Sequence, residues 1–300
     1  MPKPSRLFLA KDDIVSLFSK APQKVYSEAR LAGLLLENRA LWRLPHHTTT
    51  TDLIRFLAKQ GGLQAHKFRS EAYQREIIRY SWGQASPLEL AISIKSRAYF
   101  CHATAVIAHG LAKLGDKTIY LNAEQSPKWF DPAPPTQDAI DRAFSGNQRQ
   151  SKLIYKYRGM SVVMISGKNT NRLGVEEISG PASEKIPVTN LERTLIDIAV
   201  RPAYAGGASQ VLRAYRAAKD RVSVQRLLAI LAKLDYVYPY HQSIGFLMQR
   251  AGYPQRDYAP LRKLGLDLNF YLAYAMDQRD YCEEWRLFYP KGLRALSLRG

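Results

Sequence analysis

Three hundred residues with 46% hydrophobic content can bury a core and suit two domains, and no run of eighteen apolar residues suggests a membrane span. The N-terminal MPKPSRLFLAKDD has no apolar stretch of signal-peptide length, and Cys101 and Cys282 stand far apart, so a reduced cytoplasmic protein with two ordinary thiols is expected. Lys and Arg number 44 against 26 Asp and Glu, a net charge of +18 whose field attracts polyanions, nucleic acid first among them.

That charge is uneven. Residues 1–82 carry 14 basic and 7 acidic side chains and the remainder 30 and 19, so the first segment is the more basic per residue. Residues 9–19 read as an amphipathic helix with Leu9, Ile14, Leu17 and Phe18 inward. Ser27 caps a second helix in which Leu31, Leu34, Leu35 and Leu41 form the buried stripe. After Leu44-Pro45 the polar tract His46, His47, Thr48, Thr49, Thr50 and Thr51 leads into a third helix, DLIRFLAKQ, closed by Gly61-Gly62.

Strand-like patches follow at residues 63–68 and 77–82, around a polar middle. Three short helices and a hairpin make a winged helix-turn-helix, with Lys67, Arg69 and Arg75 near the wing tip. The candidate DNA contacts are Arg39, Arg43, His46, His47, Thr48 to Thr51, Arg55 and Lys59, on or before the recognition helix, together with the three wing cations. His46-His47 has no cysteine or carboxylate at ligand spacing, so a solvated cap is expected there and not a metal site.

Residues 82–87 are the candidate linker, with Ser86 capping a helix from Pro87 to about residue 94. Residues 99–100 precede a helix over about 103–111. His102 and His109, seven apart, are expected to be satisfied polar anchors. Cys101 and His102 are expected on opposite faces of a strand end, a poor arrangement for a nucleophile and its base. Residues 118–122 form a strand, 126–135 an irregular loop with four prolines and Trp129, and Thr136 caps QDAIDRAFS. LIYKYRGMSVVMIS reads as two strands turned at Arg158-Gly159. Gly167-Lys168-Asn169 lacks the flanking glycines of a phosphate loop.

The run VTNLERTLIDIAVRPAYAGGASQVLRAYRA, residues 188–217, has the grammar of two amphipathic helices joined by an elbow at Pro202 and Gly206-Gly207. Thr189 or Asn190 caps the first, and Arg193 with Asp197 reads as a structural ion pair. Ser223 caps a further helix, another covers about 238–252, and the end turns to an aromatic hairpin over 269–276 and 282–288. The fold class expected is α+β: the winged helix-turn-helix at residues 1–82, then a larger mixed domain at 83–300 with a helical bundle and antiparallel strands.

TNLERTLIDIAVRPAYAGG resembles the signature of the AbiEi family of antitoxins. YFCHATAVIAHGL, residues 99–111, resembles that family's strand-then-helix segment, and YPYHQSIGFLMQRAGY, residues 238–253, its late helix. The resemblance implies an N-terminal winged helix-turn-helix and a C-terminal domain that neutralises a nucleotidyltransferase-like toxin encoded beside the antitoxin, with repression of the shared operon. Charge and helix pattern support only the nucleic-acid half independently. The expected partners are therefore double-stranded operator DNA and the cognate toxin, with no catalytic residue, metal or cofactor expected. One alternative is a stand-alone winged-helix regulator. The other is a metal-dependent nuclease using Glu176, Glu177, Glu192 or Asp197, although these acids have no ordered spacing.

Overall fold

In the computed structural model, which describes residues 4–60, 62–113, 117–127 and 133–296, the fold is α+β. One unit takes the described residues of Met1–Arg97 together with Leu153–Val162, and a second takes those of Ala98–Lys152 and Val163–Gly300. The first unit therefore extends past the boundary expected at residue 82 and includes a segment from far along the chain.

The first unit opens with a single turn, α1 (Arg6–Leu9), then α2 (Lys11–Lys20), β1 (Val25–Tyr26), α3 (Glu28–Asn38), α4 (Thr50–Gln60), β2 (Leu63–Ser70), β3 (Arg75–Trp82) and α5 (Pro87–Ile92). Ile14 and Phe18 of α2, Leu31, Leu34 and Leu35 of α3, and Leu53 and Leu57 of α4 fill one core with Trp42, Leu44, Tyr80 and Trp82. Two expectations fail here. Leu9 ends the separate first turn and is exposed, and Leu41 is exposed because α3 stops at Asn38. Trp42 and Leu44, carried inward by the following turns, take the place meant for Leu41. Ser86 and Glu89 form a reciprocal capping box at α5, as the sequence suggests.

The chain enters the second unit with β4 (Tyr99–Phe100), α6 (His102–Ala108), β5 (Thr118–Asn122) and α7 (Gln137–Ser145), which Thr136 caps. Part of the loop expected at 126–135, Trp129 included, lies outside the described residues, as does Gly61. The chain then returns to the first unit with β6 (Ile154–Tyr157) and the start of β7 (Met160–Ile165). Arg158 and Gly159 turn this hairpin with φ of 44° and 75°, the left-handed pair that a two-residue turn needs to match strand twist. Strand order in the first unit is β1-β3-β2-β6-β7.

The second unit continues with β8 (Val175–Ser179), β9 (Lys185–Thr189), α8 (Leu191–Val200), α9 (Ala208–Ala218), α10 (Val224–Leu234), α11 (Tyr240–Arg250) and α12 (Gln255–Arg262). It ends with β10 (Phe270–Tyr271), β11 (Arg279–Cys282), β12 (Leu287–Pro290) and α13 (Gly292–Leu296). Its main sheet runs β7-β5-β4-β9-β8. Asn190 caps α8, and every residue from Glu192 to Val200 is buried, so α8 is the axis of this core. Arg193 Nε donates to Asp197 Oδ1 at 2.7 Å, the expected ion pair, and also reaches the Leu173 carbonyl. Glu192 accepts the Ser223 amide at 2.9 Å and stands 3.6 Å from Arg226, which ties α8 to the start of α10.

The terminal aromatic stretch is a three-stranded sheet and not a hairpin: β12 is central, parallel to β10 and antiparallel to β11. A 3-10 turn at Glu283–Trp285, closed by Arg286 at φ 45°, breaks the strand expected over 282–288. It drives Trp285, fully buried, against α11, where a Cβ on Gly245 would fall 2.1 Å from the indole ring.

Candidate nucleic-acid interface

Helix α4 begins with its cap. Thr49 Oγ1 accepts the Asp52 amide at 3.1 Å while Asp52 Oδ2 accepts the Thr49 amide at 2.9 Å, a reciprocal box that starts α4 at Thr50. The Thr49 hydroxyl and amide hold the Asp52 carboxyl below the usual carboxylate range. Leu53 and Leu57 turn inward, so the opposite face presents Thr51, Arg55 and Lys59 at spacings of four, an exposed stripe along one side of the helix.

Strand pairing places the wing cations. Leu63 pairs with Trp82, Ala65 with Tyr80, Lys67 with Ile78 and Arg69 with Glu76. Residues directly opposite in an antiparallel ladder share a face, and the face alternates along each strand. Leu63, Tyr80 and Trp82 belong to the helical core and Ile78 packs against it, so Lys67 and Arg69 lie on the same sheet face as the helices. Arg75 pairs with Ser70 on the opposite face, at the last rung before the tip. Glu76 holds both neighbours, 2.8 Å from Arg69 and 4.0 Å from Lys67.

The returning hairpin adds charge. Lys156 of β6 pairs with Arg69, which puts Lys156 on that same face, while Arg158 follows in the turn that ends β6. Both are exposed: Lys156 donates to Ser161 Oγ at 2.7 Å and Arg158 lies 5.4 Å from the Tyr157 ring centroid. Lys67, Arg69, Lys156 and Arg158 together line one shallow depression. A buried histidine fixes this hairpin against the wing. Ser81 Oγ donates to the Gly83 carbonyl at 3.0 Å and so accepts from His66 Nε2 at 2.8 Å, which leaves His66 Nδ1 to accept the Tyr157 hydroxyl. Burial first, and Arg158 second, pulls the His66 pKa down, which favours this neutral tautomer.

The chain is similar in fold to a crystal structure of the RV2827C protein from Mycobacterium tuberculosis, with a TM-score of 0.54 at 18% identity over 94% of this chain and 91% of that one. At that identity the likeness carries the fold alone. No protein-family profile matches the chain, and no curated protein matches it.

The sequence-derived set divides under this geometry. Arg43, His46, His47, Thr49, Thr51, Arg55, Lys59, Lys67, Arg69 and Arg75 are exposed, and Thr50 is half-buried at the start of α4. Thr48 is buried, and its carbonyl accepts from Arg39. Arg39 spends its guanidinium on the carbonyls of Pro45, His46 and Thr48, so it fixes the turn between α3 and α4. Lys156 and Arg158 are absent from the sequence-derived set, because no local pattern marks a strand pairing this distant.

The acids named for a nuclease do not converge. Glu192 and Asp197 are committed to the partners described above, and Glu176 and Glu177 are exposed on β8. Among the described residues no three of His, Cys, Asp and Glu gather at metal-ligand spacing, and no helix is long and apolar enough to cross a membrane.

Proposed function

We propose that the first unit binds double-stranded DNA, with α4 entering the major groove and the β2-β3 wing and β6-β7 hairpin gripping phosphate. What supports this is one arrangement: the exposed Thr51, Arg55 and Lys59 stripe on α4, and three cations on the sheet face that carries the helices, with Arg158 beside them along one depression. Arg and Thr side chains supply phosphate clamps and base-edge donors, while cations on a wing touch phosphate or the minor groove. Exposed Tyr73 near the wing tip adds a ring that can lie against a sugar or base edge.

The second half of the proposal rests on the AbiEi-like runs at residues 99–111, 188–217 and 238–253. In it the chain is a cytoplasmic antitoxin whose second unit neutralises a nucleotidyltransferase-like toxin and whose DNA contacts repress the shared operon, with no chemistry of its own. A growth assay tests it. The neighbouring reading frame is induced alone, then together with this chain, then with an Arg55→Ala chain. Arrest by the neighbour, relieved by both chains while only the wild type shifts operator DNA, is the expected result. A harmless neighbour removes the antitoxin reading and leaves a winged-helix regulator.

A further inference from the structure

The second unit encloses a cavity of about 280 Å3 that neither the DNA reading nor the antitoxin reading uses. Its floor holds Cys101, His102, Asn122 and the Arg193–Asp197 pair, and its rim holds Lys168, Arg201 and several tyrosines. Sequence alternation separates Cys101 from His102, yet both line this space. The reason is that His102 is not in a strand: it stands at φ 50° as the chain turns into α6. A non-glycine residue in the left-handed region is strained, and such strain concentrates at binding sites. The His102 side chain is also buried with its Nδ1 unpaired, an uncommon and costly state for a buried polar atom.

Charge at the rim is unbalanced. Asp197 answers Arg193 at 2.7 Å. Lys168 Nζ donates to the carbonyls of Leu234 and Asp235 at 3.1 and 3.0 Å, contacts that orient the ammonium without neutralising it. Among the described residues, Arg201 Nη1 donates to the Arg149 carbonyl, at 3.5 Å, and its guanidinium stands 5.8 Å from the Tyr204 ring centroid. Among the described residues neither Lys168 nor Arg201 has a carboxylate within 4.0 Å. Two unanswered positive charges at the mouth of a partly desolvated space attract an anion far more strongly than they would in bulk water.

The walls are aromatic. Tyr236 and Tyr240 meet edge to face at 5.2 Å, and Tyr238 and Tyr274 complete the lining. Burial pushes the pKa values of Tyr236, Tyr240 and Tyr274 up, so their hydroxyls stay neutral donors. The opposite wall depends on Gly167. Its amide donates to Asn122 Oδ1 at 2.9 Å, and a Cβ there would stand 2.7 Å from that oxygen. The cavity lies at the small end of ligand sites, too small for an oligonucleotide and suited to a single ring with one charged head.

We propose that this cavity binds a small aromatic anion, its oxyanion held between Lys168 and Arg201, its ring against Tyr236 and Tyr240, and its polar edge on His102. The proposal does not depend on the DNA or toxin readings. Carboxylate and phosphate heads share this chemistry, and the test separates them. Full-length protein is titrated by calorimetry, in parallel, with benzoate, phenyl phosphate, inorganic phosphate and phenol. At least one of the two ring-bearing anions is expected to bind, tenfold or more tighter than phosphate or phenol, and which one binds identifies the head group. Lys168→Gln, at an exposed rim position, and Arg201→Gln, at a half-buried one, should each weaken that binding tenfold or more, with Lys185→Gln on exposed β9 as the unchanged control. The proposal is overturned if neither ring-bearing anion binds below about 1 mM, the weak limit for a built site. Equal binding of inorganic phosphate, or wild-type affinity in both rim variants whose near-ultraviolet dichroism is intact, overturns it as well.

Discussion

Replacing Lys156 and Arg158 together by alanine isolates the contribution of the hairpin that returns to the first unit. Both side chains are exposed, and the double variant loses only the Lys156–Ser161 hydrogen bond and the Arg158 stack on Tyr157, so it should fold. The candidate surface carries Arg55, Lys59, Lys67, Arg69, Lys156 and Arg158. If each neutralises one phosphate, the slope of log affinity against log salt is about −5.4, falling to about −3.6 in the double variant. Over 50 to 200 mM salt that is roughly three decades of lost affinity for the wild type against roughly two for the variant. Glu76 competes for Lys67 and Arg69, which makes both slopes shallower but leaves the difference of about 1.8 intact, because Glu76 touches neither hairpin cation. Fluorescence anisotropy of a labelled duplex, read at several salt concentrations, measures it. Slopes that agree to within about 0.5 in a folded variant would falsify the placement of this hairpin on the DNA-binding face.

Arg55→Ala should weaken duplex binding roughly tenfold or more and leave toxin neutralisation untouched, as a gel shift and a growth assay in parallel will report; equal loss of both activities would contradict the division of labour between the units. Asp197→Asn strands the buried Arg193 guanidinium, and urea unfolding should show a loss of about 3–5 kcal/mol, whereas a loss below about 1 kcal/mol would mean Arg193 finds another partner. Gly245→Ala drives a methyl into the Trp285 indole and should cost about 1–3 kcal/mol by the same method; a neutral result would mean the indole can shift aside. Acid should destabilise the fold through its buried histidines. Burial lowers the His66 pKa and pulls that of His102 to about 4. Because the unfolded chain binds more protons than the folded one between about pH 6.5 and 4, stability falls as pH drops through that window. In His102→Asn, whose side chain tolerates the left-handed backbone, this acid-side slope should flatten, and an unchanged slope would assign the effect elsewhere.

Much of the architecture was readable because it is written locally. Ser27, Ser86, Thr136, Asn190 and Ser223 cap the helices that the apolar period predicts. The Arg158-Gly159 turn and the Arg193–Asp197 pair follow from neighbours in sequence. What escaped depends on distant partners. The stripe assigned to Leu41 failed because Asn38, not the hydrophobic period, ends α3. His66 and Tyr157 meet across 91 residues, a pairing that leaves no periodic trace. Of the two histidines read as satisfied anchors, His109 is one, its Nε2 donating to the Thr189 carbonyl at 2.7 Å, while His102 is not. The alternation argument for Cys101 and His102 presumed an extended backbone that the turn into α6 replaces.

The returning hairpin also sets an order of events during synthesis. The wing β2-β3 leaves the ribosome early, but its neighbour β6 follows only after Ala98–Lys152 has been made. From Trp82 to Ile154, at ~5–20 residues per second, that is a wait of roughly 4–14 s. Through it the β2 edge is open, and Phe68, fully buried once its ring lies 4.8 Å from Tyr157, has no such cover. A nascent chain in this state presents a sticky strand edge to its neighbours on a polysome, so crowded expression and slow codons between residues 98 and 152 should both favour aggregation over the finished fold.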